Sequence, residues 1–536
     1  MTDFYYRTED IPPSDMMKLF AESPQDREFI EALKSRHPAI LVGSRGVGKS
    51  FLLRVAEQEL MNEFEQKRVF PVYVSFVRSS LVFGNSTDGF QHWMLAKLCS
   101  KAIRTLEQAG MVANKNHGFD LLAGATAANS NTKSKIEEVA EKFEDSYKNP
   151  GQVIDTSSLP SVDVFREALE DLASELKIKR FAFLIDEAAH IFLPEQQRQF
   201  FTLFRDLRSH CITCNAAVYP GVTSYGDAFQ PAHDASMINL DRDVMDAQYL
   251  SSMRQIVEKQ AESRTLKAIL RNGKNFDILA YSCSGNPRML LKTIADCPDM
   301  SSTEVNEVIR KYYRSNIWSE HSELGQKYIG HRNVIDWGRT FCESLVLPEI
   351  KSKNDNYLVR DKNTSCFFWI HRDASEIVKE ALRVLSYTGV VKEHESGIKA
   401  TRGEVGTRYS VNLGCLFAFE ATPASTALDI AKSLTPKRMT EYGANHPSYN
   451  SLVDGSAMAN GVSRSEALEK QLCRNIEVLD LTRWQKEKLS ELDLNLVGSV
   501  LGASEQKLKS AYYVGDVRAR RMKNAAMAAV LEYLSG

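Results

Sequence analysis

Ala39-Ile-Leu-Val42-Gly43-Ser44-Arg45-Gly46-Val47-Gly48-Lys49-Ser50 decides the fold. The four apolar residues read as a strand, and Phe51-Leu-Leu starts a helix, so a glycine-rich turn joins strand to helix. Residues 43–50 satisfy G-x-x-x-x-G-K-[ST] in that setting. Glycines let backbone N–H groups close around phosphate oxygens, and the helix start adds partial positive charge. Lys49 is placed to reach the β- and γ-phosphates, and Ser50 to ligate Mg²⁺. The expected ligands are ATP and Mg²⁺, with Gly43 through Ser50 as the cradle.

Around this motif the chain is long, 536 residues, so several compact units are expected. Hydrophobic residues at 43% and charged residues at 25% exclude a wholly disordered, collagenous or disulfide-scaffold chain. Lys+Arg 67 against Asp+Glu 69 leaves a net charge of −2, so any nucleic-acid affinity must come from a local patch. The nine cysteines lie mostly among apolar residues, which suits a reducing compartment. Cys211 and Cys214 form a close pair whose strand-like context favours core packing over metal binding. MTDFYYRTED has no signal-peptide pattern, and no apolar run approaches a membrane span, so no membrane partner and a cytoplasmic location are expected.

A second motif lies far downstream. Phe181-Ala-Phe-Leu-Ile185 is an apolar strand that delivers Asp186 and Glu187 at its carboxyl end, and this looks like a Walker B motif. Asp186 would hold Mg²⁺ and Glu187 would polarise the attacking water. Asp-Glu-Ala-Ala-His at 186–190 invites a helicase reading, but the histidine arrives one residue late and no later helicase motif follows, so His190 reads as a helix-start residue. No LSGGQ-like signature supports an ABC-type ATPase. That leaves the additional-strand group of P-loop ATPases. Ser284-Gly-Asn286-Pro287-Arg288 begins another helix, with Asn286 suited to the cap, Pro287 to the first turn, and the Arg288 guanidinium directed back toward whatever faces the helix start.

Taken together over about residues 20–330, these motifs resemble AAA+ ATPases of the origin-recognition (ORC) and STAND-like lineages. The resemblance implies an α/β fold: a P-loop NTPase parallel sheet with a helical lid, followed by a winged helix and a small all-α C-terminal domain. It implies that Arg288 is a sensor 2 residue contacting the γ-phosphate, and that a sensor 1 residue follows the strand Ile212–Tyr219, with Thr223 as the candidate. It also implies a homo-oligomer with an arginine finger acting in trans. Arg205 and Arg208 are the candidates, with solvated helix-face charges as the alternative.

The expected units are a nucleotide-binding core at 1–260, a lid at 261–330, a winged-helix-like domain at 331–420, a linker at 421–463 and a helix-hairpin-helix-like domain at 464–536. Residues 111–160 read as an insertion or flexible connector. In the winged-helix candidate, a helix from Ser375 precedes two strands near 390–395 and 407–413; Lys392, Lys399, Arg402 and Arg408 are its basic residues, interleaved with acids. In the tail, Gly515, Arg518, Arg520, Arg521 and Lys523 match the chemistry by which a helix hairpin grips a DNA phosphate, although Tyr513 stands where the family's first hairpin glycine belongs. Both modules suit protein contacts as well. The resemblance thus implies an ORC-like ATPase whose nucleotide state alters assembly on DNA; the alternative is a STAND-like ATP-dependent switch acting through protein partners, with anti-phage defence as one setting.

Overall fold

The computed structural model describes residues 4–82, 89–111, 117–124, 134–146, 153–188, 194–327, 331–452, 472–479 and 481–535. The first lobe is built on β1 (Ala39–Val42), β2 (Val69–Ser75), β3 (Arg180–Asp186), β4 (Ile212–Val218) and β5 (Ser236–Asn239). Their order is β2-β3-β4-β1-β5, with every neighbouring pair parallel. Strand β4 therefore separates the phosphate-loop strand from the Walker B strand, the arrangement expected of the additional-strand group. Ala216 of β4 pairs with Ile40 on one side and Ile185 on the other, so Gly43 and Asp186 leave the sheet at the same end. Strands β3 and β4 are buried throughout, as parallel strands covered on both faces should be. The edge strand β5 was not foreseen; its four residues alternate between half-buried and exposed and carry little apolar signal.

Two sequence expectations are corrected. Within 111–160 the described residues form helices His117–Ala123 and Lys135–Glu144, and Phe119, Leu122, Ile136, Val139 and Phe143 are buried in the core of the first lobe. These helices pack into the lobe, which sets aside the flexible-connector alternative for them and leaves the insertion alternative. Likewise 421–452 is no linker: it contains helix Pro423–Lys432 and β9 (Thr440–Tyr442), which pairs with the central strand of a second sheet. Among its described residues, Pro423 and Pro447 open helical turns and Ser433 caps the helix. The remaining residues of the expected linker, 453–463, lie outside the described residues, as does His190.

That second sheet has the order β7-β8-β6-β9, with β6 at Phe367–His371, β7 at Val391–Lys399 and β8 at Val405–Val411. Helix Glu376–Thr388 ends at Gly389 in a left-handed conformation and feeds the β7–β8 hairpin, as the sequence pattern suggested. The hairpin is longer than expected because the bulged β7 continues through the polar Glu395–Lys399 stretch. Lid residues Leu290 and Tyr313 share one hydrophobic core with Phe368, Leu382 and Phe417, so the lid and this lobe are continuous. A separate small core gathers Leu489, Val497, Leu508, Ala519 and Met522 from the C-terminal helices. Its last helix, Asp516–Ser535, leans on the first lobe: Val77 joins its core, and Asn524 Nδ2 donates to Asp10 Oδ1 at 3.3 Å. Among the described residues, no helix is long and apolar enough to cross a membrane.

Candidate nucleotide site

The phosphate loop leaves β1 with Gly43 N–H donating to Val218 O at 3.3 Å. Gly46 and Gly48 have φ of +85° and +105°, conformations that disfavour any side chain. Helix Lys49–Asn62 starts directly on Gly48, so Lys49 and Ser50 occupy its first turn. Five successive loop carbonyls are held by neighbouring donors. Lys49 Nζ donates to Gly43 O at 2.7 Å and Ser44 O at 3.1 Å. Asn286 Nδ2 donates to Arg45 O at 2.6 Å, Arg288 N to Gly46 O at 3.3 Å, and Arg242 Nη1 to Val47 O at 3.1 Å. In a trans peptide the N–H points opposite its carbonyl, so fixing these carbonyls also fixes the direction of the loop amides. A Cβ built on Gly48 would meet nothing within 4 Å, leaving that side of the loop open for an anion.

The Walker B strand brings Asp186 and Glu187 to the same place. Asp186 is 1% exposed; its Oδ2 accepts from Tyr73 OH at 2.8 Å and its Oδ1 from Glu187 N at 3.0 Å. Glu187 sits at φ 51°, a left-handed conformation costly for a non-glycine residue and frequent at functional sites. Its carboxylate accepts from Tyr219 OH at 3.0 and 3.3 Å. Burial, and then the neighbouring Asp186, push the Glu187 carboxyl above its usual range, while Lys49 and Arg45 oppose that shift. Burial pulls the Lys49 ammonium down, with Glu187 and Asp186 resisting.

Arg288 lies in the first turn of helix Pro287–Ala295, whose cap Asn286 accepts from Met289 N at 3.2 Å. The same Asn286 amide binds the phosphate loop, so one side chain joins the lid helix to the loop. Lys49, Ser50, Glu187 and Arg288 line one cavity of about 360 Å³, together with the N-terminal stretch Tyr5–Glu9. The donor set fits a nucleoside triphosphate with Mg²⁺: a glycine cradle, a buried lysine, a helix-start hydroxyl at Ser50 and a buried carboxylate at Asp186.

Other expected residues lie elsewhere. Thr223 does not reach the acids; its hydroxyl donates to Tyr219 O at 2.7 Å, and Tyr219 is the residue after β4 that meets Glu187. Arg205 and Arg208 are exposed near the end of helix Pro194–Asp206, outside this chain's own cavity; Arg205 Nη1 donates to Ala228 O at 2.7 Å and its Nη2 pairs with Asp206 at 2.9 Å. In the hairpin after Glu505–Lys509, Tyr513 takes φ 65° in the glycine's stead, and Arg518 Nη1 donates to Tyr513 O at 2.7 Å. Gly515 and Arg520 are exposed, Arg521 is half-buried, and Lys523 Nζ turns inward to Ala503 O. Lys392 pairs with Asp241 at 3.1 Å and Arg408 with Glu395 at 2.6 Å, leaving Lys399 and Arg402 exposed beside the hairpin turn. Cys214 is buried inside β4.

Sequence reasoning missed Tyr73, Tyr219, Glu9 and Arg242. Tyr219 carried a usable signal as the polar residue ending a predicted strand beside the Walker B strand. Arg242 carried none, since its role depends on a buried pairing with Asp26 at 2.9 Å, 216 residues away in sequence. Glu9 lines the same cavity, a placement invisible in an N-terminal segment without pattern.

Solved structures similar to this chain include the Walker-type ATPase PABY2304 of Pyrococcus abyssi, at 15% identity and TM-score 0.36, covering 80% of this chain and 97% of that one. The Aeropyrum pernix ORC1 protein, in complex with DNA, matches at 14% identity and TM-score 0.30, covering 78% and 93%. The Aeropyrum pernix ORC2 protein, in ADPNP and ADP complexes, matches at 11% identity and TM-score 0.34, covering 78% and 92%. No curated protein matches the sequence. The ORC-CDC6-like family model matches residues 4–339, a span that takes in the phosphate loop, both Walker B acids and the Asn286–Arg288 lid helix. The chain belongs to the ORC-CDC6-like family and is an AAA+ P-loop ATPase of the ORC/Cdc6 type.

Proposed function

We propose that the chain binds ATP with Mg²⁺, hydrolyses it, and uses the nucleotide state of its lid to alter assembly on DNA. The observation that carries this reading is the convergence of Lys49, Ser50, Glu187 and Arg288 on one cavity, with Asn286 tying the lid helix to the loop. Ser50 and Asp186 are the residues that would hold Mg²⁺, which supplies charge neutralisation across the β- and γ-phosphates when bound. Glu187 orients the attacking water and takes its proton; its raised affinity for a proton brings it nearer to working pH. Lys49 and Arg288 stabilise the charge that spreads over the transferring group. In an assembled homo-oligomer, Arg205 or Arg208 of one protomer would serve the next, a reading supported only by their exposure.

The DNA side of the proposal rests on the hairpin residues Gly515, Arg518, Arg520 and Arg521, without the inward-turned Lys523, and on Lys399 and Arg402 as a second basic site. The test is steady-state hydrolysis with and without duplex DNA across a salt series. DNA should raise turnover, and the stimulation should fall steeply between 50 and 200 mM salt, as charge-neutralising contacts do, to about a tenth or less. Glu187→Gln should keep ATP bound and stop turnover. The second reading, an ATP-held switch acting through protein partners, is favoured by the exposed Tyr512, Tyr513 and Val517 on the same hairpin. A flat response to DNA, with nucleotide-dependent self-association, selects it.

A further inference from the structure

Tyr219 is the first residue after β4, half-buried, with its backbone carbonyl braced by the Thr223 hydroxyl at 2.7 Å. Its hydroxyl donates to Glu187 at 3.0 and 3.3 Å, spanning both carboxylate oxygens. Its ring lies under the Lys49 ammonium, with Nζ 4.0 Å from the ring centroid. An ammonium has three donors. Two of Lys49's go to Gly43 O and Ser44 O, and its remaining side is covered by the Tyr219 ring. One tyrosine therefore occupies both of the groups that must reach a triphosphate and its attacking water.

That ring has a second neighbour. Tyr387, buried on helix Glu376–Thr388 of the second lobe, packs edge-on against it with centroids 5.1 Å apart and planes at 79°. Tyr387 belongs to a small cluster with Leu324, Ile335 and Val384, and Tyr219 and Val222 lie against it. Helix Glu376–Thr388 leads directly into the β7–β8 hairpin. A movement of this helix thus alters the ring contact that helps to hold Tyr219 beside Lys49 and Glu187.

We propose that Tyr219 is a positioning residue that clamps Lys49 and Glu187 in a resting arrangement, and that the second lobe holds the clamp shut through Tyr387. The proposal rests on the ATPase reading above. It gives the second lobe a line to the hydrolytic acid through Tyr387 and Tyr219, beside the one through the lid helix that shares its core.

The test is steady-state hydrolysis by the full chain, resolved into kcat and KM. Tyr219→Phe keeps the ring and removes the hydroxyl; it should raise kcat on the order of tenfold, the scale of one hydrogen bond to a charged group, with KM changed less than about twofold. Tyr387→Leu keeps the cluster apolar and removes the ring edge, and should raise kcat in the same direction. Tyr387→Phe keeps the ring edge and should behave as the natural chain. The double variant Tyr219→Phe with Tyr387→Leu should gain little over Tyr219→Phe alone, because both act on one element. Turnover of Tyr219→Phe at or below the natural chain overturns the clamp. So does a Tyr387→Leu chain with unchanged kcat and an intact melting transition, and so does Tyr387→Phe matching Tyr387→Leu. Absence of turnover in the natural chain and in Tyr219→Phe alike overturns the ATPase reading, and the clamp with it.

Discussion

Gly46→Ala isolates the joint between phosphate loop and lid. Gly46 has φ +85°, and a Cβ there would sit 2.8 Å from Arg288 Cβ and 2.8 Å from Asn286 Oδ1. Forcing alanine into a left-handed conformation costs about 1 kcal/mol. The contact with Asn286 also disturbs the amide that donates to Arg45 O at 2.6 Å, and the contact with Arg288 disturbs the N–H donating to Gly46 O at 3.3 Å. At about 1 kcal/mol for each hydrogen bond, the total is about 3 kcal/mol. Where the loop geometry is what grips the triphosphate, this appears as an ATP affinity lower by about a hundredfold, at 1.4 kcal/mol per factor of ten. Gly110→Ala is the control for strain: its φ of +67° burdens alanine too, its Cβ meets nothing within 4 Å, and it does not line the cavity. Titration of a fluorescent ATP analogue should therefore show Gly46→Ala weaker than Gly110→Ala by about a hundredfold. Equal affinities for the two variants would refute the reasoning, because the contacts with the lid would then carry nothing.

Arg242→Ala leaves Asp26, 3% exposed, without its partner at 2.9 Å, and should destabilise the chain by about 3 kcal/mol, read as an earlier midpoint in urea. His321 is buried, with Nδ1 3.1 Å from Thr388 Oγ1 and Nε2 3.2 Å from Ile335 O, and burial holds it down at about 4, below its ordinary 6.5. The folded chain keeps it neutral while the unfolded chain protonates it. Its contribution is therefore fully present above about pH 6.5 and is lost as pH falls toward 4, by about 1.4 kcal/mol at pH 5.5. A His321→Gln chain should lose less stability than the natural one between pH 7.5 and 5.5, and an unchanged difference would exclude His321 as the source. Tyr73→Phe removes the 2.8 Å hydrogen bond to Asp186 Oδ2, and should raise the Mg²⁺ concentration needed for half-maximal turnover several-fold without unfolding the chain.

The phosphate loop and the Walker B strand were legible because their signals are local: glycines where the backbone must turn, and an apolar run ending in two acids. Asn286 and Arg288 were legible for the same reason, as a cap and a first turn. What escaped was set by distant residues. Tyr219 was passed over for Thr223 because sequence shows that a polar group ends β4 but not which side chain turns toward Glu187. The helices at 117–123 and 135–144 were hidden by the polar sequence around them, although Phe119, Ile136 and Phe143 are buried. Strand β9 was unreadable at three residues, since its existence depends on pairing with β6, whose register Phe368↔Thr440 spans a long stretch of chain.

The hydrogen bond from Asn524 to Asp10 joins residues 514 apart, and both stand beside the nucleotide cavity, Asn524 as part of its wall. A ribosome adding about 5–20 residues per second delivers that partner roughly 25–100 s after Asp10 has emerged. The loop's last partner, Arg288, precedes Asn524 by 236 residues, so for roughly 12–47 s of that interval a nascent molecule owns a finished phosphate loop and an unfinished wall. A nucleotide entering then meets a more open basin than it will in the mature molecule, and the last helix arrives as a door hung on an occupied room.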